Sequence, residues 1–162
     1  MRRMIGAGLV LGAACLLGPG AAAETVRPMP EDSCKAIGQL VATDLGVQPS
    51  ISVVSVKRPP DIAGRACRVK WTGSGLDRED QVHVVDQFFA NYLDWQPDFM
   101  VFRDGPGLEV QAFRKEQQLI VMSARWTVPN SPCKPDDASA ACKIPPKQRV
   151  WTIEVDGMTT QP

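Results

Sequence analysis

The sequence predicts an α+β domain in which two helices pack on one antiparallel sheet of about six strands, in the order α-β-β-α-β-β-β-β. Three observations predict this class. Two segments carry apolar residues at helical spacing, several short segments alternate apolar with polar residues, and turn-forming residues separate the segments. The chain has 162 residues, so the length beyond its first segment suits a single domain.

Both helices are predicted from apolar periodicity. The stripe of the first helix consists of Cys34, Ile37, Val41 and Leu45. Asp32 or Ser33 can cap its start, and Gly46 suits the left-handed position that follows a helix end. The second helix is predicted over residues 77–95, with its first residue as the cap and Pro97 as the stop. Its apolar arc is wide, which indicates deep packing against a sheet.

Six strands are predicted from alternation and from β-branched or aromatic residues. They cover residues 51–56, 67–71, 99–103, 108–113, 118–128 and 150–155. Residues 24–31 contain two prolines and are predicted to be an extended lead-in rather than a strand. The strand that ends at residue 103 is predicted to start a three-stranded meander, since a turn cluster occupies residues 104–107.

The first 23 residues have the pattern of a cleaved signal peptide. Two arginines follow Met1, residues 4–17 are apolar, and a run of alanines ends at Ala23. A membrane anchor is the alternative, but Gly and Pro at 18–20 break the run before the roughly 20 apolar residues that a span needs. Acylation of Cys15 is a second alternative. We therefore expect a domain at 24–162 that is periplasmic or, alternatively, secreted.

Four cysteines remain in that domain, and an even number in an exported protein indicates disulfides. Three pairings are possible. Cys133 and Cys142 are close in sequence, so a local bridge within the proline-rich loop 129–147 is the economical choice, which pairs Cys34 with Cys67. A four-thiolate metal site is the competing use, but the sequence has no CxxC pair and an oxidising compartment disfavours it.

No catalytic, cofactor-binding or metal-ligating residue is predicted. The only histidine, His83, is placed on the polar side of the second helix, and there is no GxSxG nucleophile motif. The adjacent acids at 79–80 and at 136–137 are more typical of solvated surface than of acid-base chemistry. Removal of the leader makes the charge slightly acidic, so no nucleic-acid binding is expected.

These observations favour a non-enzymatic periplasmic binding or accessory protein that presents the loop 129–147 to an envelope protein. The candidate contact residues are Lys134, Asp136 and Asp137. A stiff, cross-linked loop binds with little ordering cost, which is the reason for choosing it. The alternative is a small exported hydrolase that uses paired carboxylates. No cofactor and no membrane anchor after leader removal are expected, and the oligomeric state stays open.

Overall fold

A computed structural model describes residues 24–58, 61–105, 107–129 and 144–161. The two helices are α1 (Glu31–Leu45) and α2 (Gln81–Phe89). The eight strands are β1 (Glu24–Pro28), β2 (Ser50–Arg58), β3 (Ile62–Ser74), β4 (Gln96–Pro97), β5 (Arg103–Gly105), β6 (Leu108–Lys115), β7 (Gln118–Thr127) and β8 (Val150–Thr160). The α+β class is confirmed. None of the described helices has the length and apolar character that crossing a membrane requires.

The sheet differs from the predicted one in size and in direction. It contains eight strands in the order β2-β3-β1-β8-β7-β6-β4, and β5 also pairs with β6. It is mixed rather than antiparallel, because β1 runs parallel to β3 while all other neighbours are antiparallel. The two strands that were not predicted are β1, which pairs with distant strands, and the two-residue β4, which pairs with β6.

β1 corrects the prediction of an extended lead-in at residues 24–31. The backbone N–H of Glu24 donates to Asp61, and that of Gln161 donates to Thr25, so β1 is bonded on both sides. It fills the gap where β3 parts from β8, and Val26 lies beside Gly64. Gly64 has φ +148°, and a β-carbon there would lie 2.0 Å from the Val26 carbonyl oxygen, so only glycine permits this approach.

α1 follows the predicted stripe but begins at Glu31, directly after Pro30, without a side-chain cap. Pro30 itself is the N-cap residue, so the predicted caps Asp32 and Ser33 lie inside the helix instead. Gly46 ends the helix at φ +65°, as predicted. A disulfide between Cys34 and Cys67 joins α1 to β3 with 6.1 Å between the α-carbons, which confirms this pairing.

α2 is shorter than predicted at both ends. Asp80, not Asp77, is its N-cap, and the Asp80 side chain accepts from the backbone N–H of His83 at 2.9 Å. The helix stops at Phe89, where the Asn91 amide donates to the Phe88 carbonyl at 3.1 Å. The predicted helix at residues 90–95 is replaced by turns, and Leu93 is exposed there instead of joining the apolar face.

Both helices cover one face of the sheet. Their apolar side chains form one core with the inward residues of the central strands, among them Trp126 and Trp151. A second core on the other face contains no helical residue and is built from strands and from Val101. Among the described residues no helix covers this second face, so its cover there comes from the curvature of the sheet.

A buried ion cluster marks that curvature. Asp156 is fully buried and accepts two hydrogen bonds from Arg68, its cross-strand neighbour, at 2.7 and 2.8 Å. Arg58 of β2 also bonds to Asp156. The β2 residue that pairs with Arg68 is Ser52, and Arg58 lies six residues farther along the strand. Six residues of strand span about 20 Å, so the far end of the β2–β3 hairpin must bend over this face.

Candidate functional site

The most unusual surface lies where a strand was predicted at residues 99–103. Residues 96–105 run along β6, but only β4 and β5 pair with it, and the five residues 98–102 between them leave the sheet. They form a tight turn in which Val101 N–H donates to the Asp98 carbonyl at 3.2 Å. We call residues 98–102 the apolar turn. The strand predicted at 99–103 is wrong for residues 99–102, because the backbone N–H groups of Val101 and Phe102 donate within the turn, and only Arg103 belongs to a strand.

The apolar turn presents its largest side chains to solvent. Phe99 is 78% exposed, Met100 is 66% exposed and Phe102 is 41% exposed, whereas Val101 is only 4% exposed and packs into the second core. Scattered apolar residues are normal on a protein surface, but three within four positions are not. Phenylalanine and methionine are also enriched at protein interfaces.

The turn is held firmly at its base. The backbone N–H of Asp98 donates to the Ala112 carbonyl at 2.8 Å, and one Asp98 carboxylate oxygen accepts from the N–H of Met100 at 3.2 Å. The other oxygen accepts from Arg114 at 3.1 and 3.2 Å. Arg114 in turn makes a two-pronged pair with Glu24 of β1 at 2.9 and 3.0 Å. The exposed side chains therefore stand on a fixed backbone, which lowers the entropic cost of binding.

Beside the turn, one acidic residue is buried. Glu109 of β6 is 2% exposed and lies directly opposite Asp104 of β5. Its carboxylate accepts from the Gln111 amide at 3.2 Å, and that amide also donates to Asp86 at 3.0 Å. Burial raises the pKa of Glu109, with further contributions from the charges of Asp104 and Asp86.

This acidic group bears on the hydrolase alternative. A carboxyl group with a raised pKa is a candidate general acid, but it must reach a substrate. Glu109 is almost fully covered. It does not line the cleft beside Trp95 and Lys115 or the two clefts along α1, and each of these contains at most one acidic residue. None of these three clefts therefore brings a pair of carboxylates together.

The single histidine has a local structural partner. His83 has a side chain that is 67% exposed, and its Nδ1 lies 2.9 Å from the Asp80 carboxylate. That hydrogen bond and the negative charge of Asp80 raise the pKa of His83. Asp80 is occupied in capping α2 at the same time. The pair thus stabilises a helix start on an open surface, as the solvent-facing prediction for His83 implies.

The remaining predicted site residues fall outside the described residues. Cys133, Lys134, Asp136, Asp137 and Cys142 all belong to this group, so their bridge and their contact role stay predictions. Among the residues that are described, no three histidine, cysteine or acidic side chains come together in a way that could hold a metal ion.

Comparison with known proteins does not supply a function. No protein-family model matches the chain, and no curated protein or solved structure shows significant similarity to it. The apolar turn was predicted to be a strand because a short continuous run of aromatic, Met and Val residues is also typical of a buried strand. The available signal was Asp98 after Pro97, a combination that favours turn initiation.

Proposed function

We propose that this protein is a non-enzymatic binding protein of the cell envelope, exported by its first 23 residues, and that the apolar turn contacts a partner protein. One observation carries the proposal: Phe99, Met100 and Phe102 are exposed on a turn whose backbone is fixed by Asp98. Rigid apolar anchors of this kind supply most of the binding energy in many interfaces. The partner would offer an apolar pocket to these three side chains.

The periplasmic location is part of the same proposal. The leader pattern and the Cys34–Cys67 disulfide both favour an oxidising compartment. N-terminal sequencing of the protein from its native host should return Glu24 as the first residue. Recovery of Met1, or of a lipid-modified Cys15, would contradict this part of the proposal without affecting the role of the turn.

Site-specific photocrosslinking tests the turn directly. A photoreactive phenylalanine analogue at position 99 should give one discrete adduct with an envelope protein. The same analogue at exposed Arg125 of β7 should not give it. The double substitution Met100→Ser and Phe102→Ser should abolish the adduct, whereas Val82→Ser, a partly exposed position of α2, should leave it intact. An adduct that persists in the double variant would contradict the proposal.

The loop 129–147 is retained as a second proposed contact of the same partner, on the grounds given by its prolines and its predicted Cys133–Cys142 bridge. A variant in which Cys133 and Cys142 are both replaced by serine separates the two contacts. If the loop contributes, this variant should weaken the position-99 adduct while the protein stays folded. If the adduct yield is unchanged, the turn acts alone and the loop contact is withdrawn.

A further inference from the structure

β2 forms one edge of the sheet and has unusual features for an edge strand. It pairs only with β3 within the described residues, so along its length every second residue directs a backbone N–H and C=O away from the sheet. From Ser50 to Val56 it contains no charged residue and no proline, and most of its residues are β-branched or serine. Such an edge is a template for another strand, and proteins normally protect it with charges, bulges or cover.

Two side chains of this edge remain exposed on the helix-covered face. Ile51 is 46% exposed and Val53 is 52% exposed. They border an open cleft of about 450 Å³ between α1 and β2, which Met29 and the Cys34–Cys67 bridge also line. A second cleft of about 330 Å³ continues past Ile51 along α1. An added strand would find both backbone hydrogen bonds and an apolar margin here.

We propose that the occupant is a second copy of this chain, whose β2 pairs antiparallel with the first across a twofold axis at Ser52. In this register Ile51 of each copy lies opposite Val53 of the other, and Ser50 lies opposite Val54. Opposite residues then share a face of the joined sheet. Two contacts between Ile51 and Val53 therefore form, one on each side of the twofold axis. A twofold interface of this kind is closed and does not propagate into fibres.

The charges around β2 fit this arrangement. The last turn of α1 carries no basic residue of its own, and the cation that reaches it, Arg78, donates to the Asp44 carbonyl at 3.1 Å. Lys57 is exposed and projects from the same face as Ile51. Antiparallel pairing about Ser52 carries Lys57 of each copy toward the segment after α1 in the other, residues 46–49. Parallel pairing would instead place the two Lys57 side chains together, which is unfavourable.

Oligomeric mass is the first test. Sedimentation of the mature chain over a concentration series should show a species of twice the monomer mass. Val53→Lys should give monomer only, because two lysines would replace the apolar pairs at the axis. Val82→Lys introduces the same charge on α2 and should leave the dimer unchanged. A native chain that stays monomeric throughout the series overturns the proposal.

Disulfide trapping tests the register separately. Ser52→Cys should form a covalent dimer on mild oxidation, since both sulfurs lie at the axis. Ser55→Cys, on the same strand and equally open, should not, because the two positions are about 20 Å apart in this register. Crosslinking at Ser55 instead of Ser52, or at neither, contradicts the proposed pairing. Both experiments are independent of the apolar turn, so either proposal can fail alone.

Discussion

At one edge of the sheet β2 runs for nine residues without a break, whereas at the other edge the chain leaves the sheet between β4 and β5. The interruption leaves β4 with two residues and β5 with three, so that edge offers little backbone for another strand. The same interruption pushes Phe99, Met100 and Phe102 into solvent. β2 keeps an open backbone and exposes only two apolar side chains.

The two edges of the sheet therefore suit two different modes of binding. At β2 the partner would be recognised mainly by its backbone, which suits an extended strand and, through self-pairing, a second copy. At the apolar turn a partner would be recognised by side chains that fill pockets. Different interactions stabilise the two surfaces. The disulfide joins α1 to β3, the neighbour of β2, whereas the ion pairs of Arg114 with Asp98 and Glu24 hold the apolar turn.

The largest expected effect concerns the support of β2. Replacing Cys34 and Cys67 together by alanine should lower the free energy of unfolding by about 2–5 kcal/mol, the usual loss for a native bridge in a small secreted domain. Hydrogen exchange should increase in α1 and β2 but not in β4 and β5. Equal acceleration at both edges would show that the bridge does not act locally.

Peptide mapping of the native protein without reductant should recover Cys133 linked to Cys142.

Truncating Val101, the buried side chain of the apolar turn, should lower the stability less. Val101→Ala deletes two buried methyl groups from the second core and should cost about 2 kcal/mol in urea unfolding. Although Met100 and Phe102 are unchanged, crosslinking from the analogue at position 99 should decrease, because the turn loses its packing against the second core. Val85→Ala, at a fully buried position of α2, is the matched control and should cost stability without reducing that crosslink.

A pH experiment examines the pairing of β5 with β6. The raised pKa of Glu109 means that the folded state favours its protonated form, so this stabilisation is complete below the unfolded-state pKa and is lost as pH rises through the folded-state pKa. Glu109→Gln should therefore raise the unfolding temperature at about pH 7 and have little effect at about pH 3. Glu116→Gln, at an exposed turn position, controls for removal of a charge. The same gain at both pH values would contradict this account.

The smallest effect on stability is expected at the exposed residues of either edge. Met100→Ser and Val53→Lys should each change the free energy of unfolding by no more than about 0.5 kcal/mol, as is usual for surface positions. They should nevertheless separate the two surfaces, since the first should weaken crosslinking from the analogue at position 99 and the second should abolish the dimer. A large loss of stability in either variant would show that the side chain belongs to the fold.

The sequence by itself determined the parts of this protein in which local pattern and burial agree. The stripe of α1 and the alternation that places Trp126 and Trp151 in the core follow from periods of 3.6 and 2 residues. The Cys34–Cys67 pairing follows from the short spacing of the other two cysteines. The export signal and the bridge between Cys133 and Cys142 remain predictions of the same kind. They rest on composition and spacing alone.

The tertiary structure decided the rest, because it settled where distant backbone groups find partners. β1 has prolines but becomes a strand since β3 and β8 part at Gly64 and leave a gap for it. Residues 99–103 look like a strand, yet their backbone bonds within a turn that Asp98 and Arg114 secure. Local pattern contains no information about which edge of the sheet stays open, since that depends on the complete strand order.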